Sequence, residues 1–218
     1  MPLIFYSVAG LVAYLLGSIP FGYLLVRFFR KEDIRQTGSG NIGATNVMRS
    51  GSKGLGVATL IFDVLKGSCA VLLCGVVADR LGLARDVRAD GVAIAALFVV
   101  LGHMYTGWLR FKGGKGVATA FGVFLALAPW AALAGVFVFA LVFAVSRYVS
   151  LGSILSAIAF PLFAMMLPHA ARTPWAITVL FVIPLIVILK HHQNIARLMK
   201  GTEYRFGKTD RNTRTTAA

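Results

Sequence analysis

Acidic residues are scarce in this chain, and their scarcity limits the chemistry that the sequence can support. Only 8 Asp and Glu stand against 22 Lys and Arg in 218 residues, which gives a formal net charge of +14. The few carboxylates form no metal-ligand set and no Cys or His spacing fits zinc, so neither a metal nor a cofactor is expected. The two cysteines, Cys69 and Cys74, are five positions apart and do not share a helix face, which predicts unpaired thiols packed in the core.

Charge of either sign is almost missing from six long stretches of the chain. Hydrophobic residues make up 58% of the sequence, with a mean hydropathy of +0.79, against roughly 45–50% in a typical soluble domain. About 20 apolar residues cross a bilayer as a helix, and the alternating strands of a membrane barrel are missing. We therefore predict an all-α integral membrane protein. The apolar blocks are 3–26, 55–78, 91–109, 117–146, 151–168 and 175–189.

A signal peptide is not evident either, so the first block is predicted to be a retained helix. The basic residues lie between the blocks, as the positive-inside rule requires. They do not form a face interleaved with exposed aromatics, so no nucleic-acid partner is expected. The basic loop after the first block and the seven basic residues from Lys190 onward place both segments in the cytoplasm. The N-terminus is then predicted outside and the C-terminus inside.

The fourth block is constrained by this charge pattern. Lys115 before it and the basic tail are both expected inside, but single crossings by the last three blocks would leave the tail outside. Residues 117–146 would span about 45 Å as one helix, and Pro129 lies near the middle, where proline breaks helices. We therefore predict a hairpin of two helices here and about seven membrane helices in all. One long tilted helix, with the tail outside, is the alternative.

The domain organisation predicted from these blocks is simple. Residues 1–207 form a single polytopic membrane domain, and residues 208–218 form a polar, disordered cytoplasmic tail.

The first of three polar clusters on the predicted cytoplasmic side runs from Thr37 to Arg49. Its glycine spacing formally matches a dinucleotide fingerprint but lacks the preceding strand that the fingerprint requires. Closely spaced glycines let backbone amides converge on an anion, and arginine suits phosphate. A flexible connector is the alternative, although it would not call for these polar side chains. The candidate phosphate-binding residues are Gly38, Ser39, Gly40, Asn41, Thr45, Asn46 and Arg49.

The second cluster consists of His103 and the segment 111–119, where Lys112 and Lys115 stand among three glycines. Ammonium groups beside exposed backbone amides favour phosphate oxygens. The segment is not a Walker A loop, because no Ser or Thr follows Lys115. Ordinary positive-inside lysines are the alternative.

The third cluster is split between residues 147–153 and 190–203 and contains Ser150, Ser153, His191, Asn194 and Glu203. Ser150 could simply cap a helix, and the histidines could simply lie at the membrane interface. His191 and Asn194 are three positions apart and would share a helix face.

Asp63 and Lys66 lie inside the second apolar block, also three positions apart. Charged residues within a membrane span are costly and mark either function or a buried pair. We predict a structural pair that braces the bundle, with direct substrate contact as the alternative.

Phosphate-binding loops at one face of an apolar bundle predict a substrate that is anionic at one end and hydrophobic at the other. An enzyme acting on such a substrate is favoured. A transporter of a phosphorylated anion would need polar groups along the path through the bilayer, and a scaffold would not need the repeated Gly, Lys and Asn combinations.

Seven motifs occur in the chain in this order: GSIPFG at 17–22, GSGNIGATN at 38–46 with Arg49, DVLKG at 63–67, GH at 102–103, FKGGKGVAT at 111–119, RYVSLGS at 147–153 and HHQNIARLMKGTE at 191–203. Together they resemble, over nearly the whole chain, the bacterial acyl-phosphate:glycerol-3-phosphate acyltransferase family, PlsY. The resemblance implies a seven-helix enzyme of the bacterial inner membrane with a cytoplasmic site. It implies acyl phosphate as donor, glycerol 3-phosphate as acceptor, lysophosphatidic acid and phosphate as products, and possible transient contact with the soluble enzyme that makes the donor.

The resemblance also implies roles for the polar residues. Lys112, Ser150, His191 and Asn194 would be catalytic. Phosphate or glycerol binding would fall to the first cluster together with His103, Lys115, Ser153 and Glu203. His191 and His103 are candidate general bases, but a substrate phosphate that takes the hydroxyl proton itself is favoured.

Overall fold

Helices account for the regular structure of the chain, as the apolar blocks predict. The computed structural model describes residues 2–170 and 173–207, and within those ranges it contains helices and no strand. The predicted disorder of residues 208–218 falls outside the described residues. The helices are α1 (Pro2–Ser18), α2 (Phe21–Arg30), α3 (Ala44–Arg49), α4 (Lys53–Arg80), α5 (Arg85–Met104), α6 (Val117–Leu127), α7 (Pro129–Ser146), α8 (Val149–Met166), α9 (Pro174–Leu189) and α10 (His192–Met199).

Several of these helices are long and apolar enough to cross a membrane. Among the described residues there are five such stretches, and six if the bent pair α9 and α10 forms one span. Helix α6, with 11 residues, is about 16 Å long and falls short of a hydrocarbon core about 30 Å thick. The all-α membrane fold is confirmed, while the count of seven crossings and the orientation of the termini stay predictions.

The first span is broken between α1 and α2, where Pro20 cannot donate a backbone hydrogen bond. Two buried side chains, one from α4 and one from the segment after α5, donate hydrogen bonds to the carbonyls at the break. Thr106 Oγ1 donates to the Ser18 carbonyl at 2.6 Å, and Lys66 Nζ donates to the Ile19 carbonyl at 2.9 Å. In a lipid environment a backbone group freed by a kink needs such a partner, so the kink is built into the fold.

The fourth apolar block is also broken, at the proline that the sequence pointed to. Pro129 begins α7 immediately after Ala128, in the first turn of a helix, where its missing N–H costs nothing. Lys115, just before α6, and Arg147, just after α7, line the same cavity. The two helices therefore leave and return to one end of the bundle.

Helices α4 and α6 pack closely because small residues face each other. A methyl group added to Gly122 would overlap the Val64 carbonyl, and one added to Gly67 would overlap the Thr119 carbonyl. Ser68 Oγ also donates to the Gly122 carbonyl at 2.8 Å. Small residues and interhelical hydrogen bonds of this kind hold membrane helices together.

The cysteines are unpaired as predicted, but only one of them packs in the core. Cys74 is buried, whereas Cys69 is exposed on the outer side of α4. Large apolar side chains such as Leu72, Phe137 and Leu162 are exposed in the same way. An apolar outer surface of this extent is what a lipid-facing bundle requires.

Candidate active site

One cavity of about 860 Å³ opens at the end of the bundle that carries the basic loops. Helices α3 to α10 all contribute to its lining, together with the loops that follow α2 and α5 and the segment that follows α10. Most of the predicted site residues meet here, although they come from three clusters far apart in sequence. Those that line the cavity are Ser39, Asn41, Thr45, Asn46, Arg49, Asp63, His103, Lys115, Ser150, Ser153, His191, Asn194 and Glu203.

Four predicted residues are not part of the lining. Gly38 and Gly40 are exposed in the first loop, and Lys66 is buried beside Asp63. Lys112 is exposed on the outside of its loop, although Lys115, three positions later, faces the cavity.

The first glycine-rich loop is organised by the Asn46 side chain, which is buried. Its Oδ1 accepts from the Ser39 amide at 2.8 Å, and its Nδ2 donates to the carbonyls of Ile34, Thr37 and Asn41. Asn46 therefore shapes the loop and has no donor left for a ligand. Because the Ser39 amide is already bonded, the Ser39 hydroxyl is the group of this residue that can reach a ligand.

Gly38 is required in this loop on two grounds. Its φ of +57° is in the left-handed region that favours glycine. A methyl group at this position would also overlap Asn46 Oδ1 and approach the Arg49 guanidinium. The glycine thus lets the loop close onto Asn46.

Arg49 lies at the end of α3 and contacts an aromatic ring from the opposite rim. Its Cζ is 3.9 Å from the centre of the Tyr204 ring, within the range of a cation–π contact. Tyr204 packs against Phe206, which in turn packs against Phe143 of α7. The segment 201–207 thus crosses the mouth of the cavity and joins α3 to α7.

Lys115 is the partly buried cation of the second cluster. Burial, together with the charges of nearby Arg197 and Arg49, lowers the pKa of its ammonium group to about 8 against the opposing effect of Glu203. The three cations therefore share one small region and repel one another. A site in which several cations repel one another favours the binding of a multiply charged anion.

Glu203 is the acceptor that orders the donors around this region. Its Oε1 accepts from Ser150 Oγ at 2.8 Å and from Asn194 Nδ2 at 2.6 Å, and its Oε2 accepts from Arg197 Nε at 2.7 Å. Burial alone would raise the pKa of this carboxyl, but the three hydrogen bonds lower it below its ordinary value. An anionic carboxylate cannot itself bind phosphate, so Glu203 positions the residues that do.

His191 is buried and holds a fixed orientation. Its Nδ1 is 2.8 Å from the Val187 carbonyl, so Nδ1 carries the proton and Nε2 is an acceptor. Burial lowers the pKa of its imidazole to about 4, with nearby Lys115 acting in the same direction. Asn194 Oδ1 is also buried and has no partner among the described residues. Two acceptors are thereby available near Lys115.

The remaining residues of the third cluster are placed in the first turns of α8. Ser150 is the second residue of that helix, and its hydroxyl is engaged by Glu203 rather than by the helix end. The Ser153 hydroxyl bonds back to the Val149 carbonyl at 2.9 Å, within the same helix.

The Asp63–Lys66 pair predicted from the sequence is present. Lys66 Nζ lies 2.8 Å from Asp63 Oδ1, and both side chains are buried. His103 joins the pair from α5, with Nδ1 3.5 Å from Asp63 Oδ1. This contact is too long for a good hydrogen bond, so the charge of Asp63 acts on the ring mainly through space.

The inner part of the cavity is apolar. Phe124 of α6 and Phe160 of α8 stack there, with ring centroids 3.8 Å apart, and both are buried. Leu60 of α4 and Val136 of α7 line the cavity and are also exposed on the outside of the bundle. The apolar arm therefore reaches the lipid-facing surface between α4 and α7.

Sequence reasoning missed three residues of this site, namely Arg197, Tyr204 and Phe206. Arg197 belongs to the motif at 191–203, and its position one helical turn after Asn194 is the signal that could have identified it. The two aromatics lie in a polar segment without periodicity, so nothing in the pattern connected them to Arg49 or Phe143.

A cationic pocket joined to an apolar arm inside a helical bundle defines a multi-pass membrane protein with a site for an anionic, chain-bearing molecule. Comparison with known proteins agrees with this class. A family model described as glycerol-3-phosphate acyltransferase matches residues 7–201, and the chain belongs to that family.

The curated relatives are similar over nearly their whole length. The glycerol-3-phosphate acyltransferase of Syntrophotalea carbinolica is 50% identical over 196 residues, which cover 90% of this chain and 95% of the relative. That of Geobacter sulfurreducens is 51% identical over 195 residues, with 89% and 94% covered.

Two solved structures share the fold. Both are crystal structures of PlsY, an integral membrane glycerol 3-phosphate acyltransferase. The glycerol 3-phosphate form superposes with a TM-score of 0.82 at 40% identity and covers 93% of this chain and 96% of that one. The lysophosphatidic acid form gives 0.79 at 39% identity, with 93% and 95% covered.

Proposed function

We propose that this protein transfers an acyl group from acyl phosphate to the 1-hydroxyl of glycerol 3-phosphate, giving lysophosphatidic acid and inorganic phosphate. The observation that carries the proposal is the joining of a cationic pocket to an apolar arm in one cavity. A polar acceptor and an acyl donor can meet only at such a junction. Membership of the glycerol-3-phosphate acyltransferase family supports the reaction class.

The phosphate groups bind at the cationic end. Arg49 approaches it from the end of α3 and Lys115 from the loop before α6, and the Ser39 and Thr45 side chains also line the cavity. Arginine can bind phosphate oxygens in a bidentate manner, and a lysine ammonium adds a mobile charge. Because the charges of Arg49 and Lys115 repel each other, a phosphate dianion relieves that repulsion when it binds.

The glycerol part is held by the third cluster. His191 Nε2 and Asn194 Oδ1 are acceptors without a partner among the described residues, and glycerol hydroxyls are donors that fit them. Leaving a buried acceptor unpaired costs about 1–3 kcal/mol, which a bound hydroxyl recovers. Ser150, held by Glu203, completes the polar wall.

The chemical step is a direct acyl transfer. The hydroxyl oxygen attacks the carbonyl carbon, the bond from that carbon to the phosphate oxygen breaks, and phosphate leaves with the electron pair. The cations at the site stabilise the charge that develops on the leaving phosphate. Because acyl phosphate is already activated, holding the two substrates side by side supplies much of the remaining acceleration.

The hydroxyl proton passes to a substrate phosphate oxygen. A side-chain base works best with a pKa near the working pH, and His191, with a pKa of about 4, is far too weak a base. A phosphate ester has a second pKa of about 6 and lies within the same site. His191 therefore orients the hydroxyl, and the phosphate accepts its proton.

The membrane orientation proposed from the charge pattern also fits this activity. The cavity mouth lies at the end of the bundle with the basic loops, which the positive-inside rule assigns to the cytoplasm. The protein is then a single-domain enzyme of the bacterial inner membrane, with its site facing the cytoplasm and supplied by a soluble acyl-phosphate-producing enzyme.

The experiment that tests the proposal is acyl transfer by the purified protein, in detergent or lipid, to labelled glycerol 3-phosphate. Palmitoyl phosphate, palmitoyl-CoA and palmitoyl-acyl carrier protein are compared as donors. Lysophosphatidic acid formed from acyl phosphate alone supports the proposal. Product from a thioester donor instead would refute the donor, and no product from any donor would refute the reaction.

Two variants connect the activity to the cavity. Arg49→Ala and Lys115→Ala should each lower kcat/KM by ten-fold or more, since a charge-assisted hydrogen bond contributes about 1.5–3 kcal/mol. Lys53→Ala is the matched control, because Lys53 is an exposed cation at the same end of the bundle and outside the cavity. Wild-type rates in both folded cavity variants would contradict the assigned phosphate site.

A further inference from the structure

We propose that Asp63, Lys66 and His103 form a positioning cluster that fixes the lysine loop, residues 110–116, against the kinked first span. The cluster would thereby set the affinity for the phosphate of glycerol 3-phosphate, an inference that rests on the function proposed above. All three side chains are buried, with at most 6% of each exposed, so their contacts are with other parts of the protein.

The first link connects the cluster to the kink. Lys66 forms an ion pair with Asp63 at 2.8 Å and donates to the Ile19 carbonyl at 2.9 Å. Ile19 is the residue before Pro20, where α1 ends and α2 begins. One ammonium group therefore holds both the acid on α4 and the Ile19 carbonyl at the kink, which also accepts from the Phe21 amide at 3.1 Å.

The second link connects the cluster to the lysine loop. The loop folds back on the end of α5, with Gly114 N donating to the His103 carbonyl at 3.0 Å and Gly113 N to the Met104 carbonyl at 3.2 Å. A methyl group on Gly114 would overlap His103 Nε2. The loop thus lies directly on the imidazole ring, one residue before Lys115.

The third link reaches the first glycine-rich loop. Beyond the kink, α2 packs so closely on this loop that a methyl group on Gly22 would overlap the Ile42 carbonyl. The kink held by Lys66 therefore supports one phosphate loop, and His103 supports the other. A structural ion pair alone would need only Asp63 and Lys66, and the imidazole is the member that carries the contact onward to Lys115.

The test asks whether two substitutions, one at His103 and one at Gly114, compensate for each other when they are combined. His103→Ala removes the ring, and Gly114→Ala adds the methyl group that collides with it. Gly114 does not have a positive φ, so its backbone tolerates alanine, and the three atoms nearest to the added methyl group all belong to the His103 ring. Gly107→Ala is the matched control, because no atom lies within 4 Å of a methyl group there.

Each single variant should raise the KM for glycerol 3-phosphate by about ten-fold or more with a smaller change in kcat, since loop placement governs the phosphate contact. In the double variant the methyl group occupies part of the space that the ring has left, so the KM should return to within about three-fold of wild type. Thermal unfolding of each variant in the same detergent reports whether it is folded, and His103→Asn replaces His103→Ala if that variant is not.

Losses that multiply in the double variant, or a wild-type KM in Gly114→Ala, would overturn the inference. So would a lowered unfolding temperature in every variant with no change in KM, because that is the result expected of a brace alone. A second readout does not need the transferase reaction: protection of Lys115 from reductive methylation by inorganic phosphate, followed by mass spectrometry. Protection that is weakened in both single variants and restored in the double would support the cluster even if wild type transferred no acyl group, and equal protection in all variants would refute it.

Discussion

Raising the pH above neutrality should remove the positive charge of Lys115. With a pKa of about 8 in the free protein, the ammonium form falls from about nine-tenths at pH 7 to about one-tenth at pH 9. If that charge is needed for phosphate binding, kcat/KM for glycerol 3-phosphate should fall about ten-fold over this interval. The substrate phosphate does not confuse the result, because its second pKa of about 6 makes it a dianion throughout.

The direction in which substrate binding moves the pKa of Lys115 provides a second test of the same assignment. A phosphate dianion beside Lys115 favours the charged ammonium, so binding raises its pKa. The profile of kcat, which reports the complex, should therefore fall at a higher pH than the profile of kcat/KM, which reports the free enzyme.

Initial rates between about pH 6.5 and 9.5, at saturating acyl phosphate and with the donor's own hydrolysis subtracted, measure both profiles. Lys115→Arg should abolish the fall, because an arginine stays charged over this range. Lys53→Arg should keep it, since Lys115 is unchanged. A flat wild-type profile of kcat/KM, or the same fall in Lys115→Arg, would refute the assignment of this charge to phosphate binding.

Three further variants test other parts of the site. Glu203→Ala leaves Asn194 and its neighbouring donors without their acceptor and should lower both activity and the unfolding temperature. The stability that Glu203 adds is present at neutral pH and is lost as the pH falls through the lowered pKa of its carboxyl. If the unfolding temperature of the variant fell at acid pH in the same way as that of wild type, this role would be contradicted. Tyr204→Ala should raise the KM for glycerol 3-phosphate by roughly two- to thirty-fold, since a cation–π contact contributes about 0.5–2 kcal/mol. Tyr204→Phe keeps the ring and should have a KM close to that of wild type. Equal effects of both variants would argue against the contact with Arg49. Phe160→Ala enlarges the apolar arm and should shift the donor preference toward longer chains, and an unchanged chain-length profile would place the end of the chain elsewhere.

The parts of the fold that follow from local chemistry were predictable from the sequence. Pro129 ends one helix and begins another because its ring removes a backbone donor, and this break is confirmed. Asp63 and Lys66 pair because three positions place them on one helix face. Pro161 and Pro184 show the limit of the rule, since both lie inside helices that continue past them.

The parts that depend on distant segments were not predictable from one sequence. Lys112 and Lys115 stand in similar glycine-rich surroundings, although the first is exposed and the second faces the cavity. The sequence pattern therefore could not tell which lysine faces the cavity. Asn46 was grouped with the ligand-binding residues, but its amide holds the loop together. The contact of Tyr204 with Arg49 joins residues 155 positions apart, and no periodicity reports a contact of that kind.

The side opening between Leu60 and Val136 has a consequence for how a lipid substrate would travel. Moving a chain of about 14 methylene groups from the bilayer into water would cost roughly 11 kcal/mol, at about 0.8 kcal/mol for each group. A chain that slides sideways between α4 and α7 never meets that barrier, because hydrocarbon surrounds it on both sides of the opening. Exchange with the membrane would then be set by lateral diffusion within one leaflet, and only the small water-soluble partner would need to enter from the aqueous side.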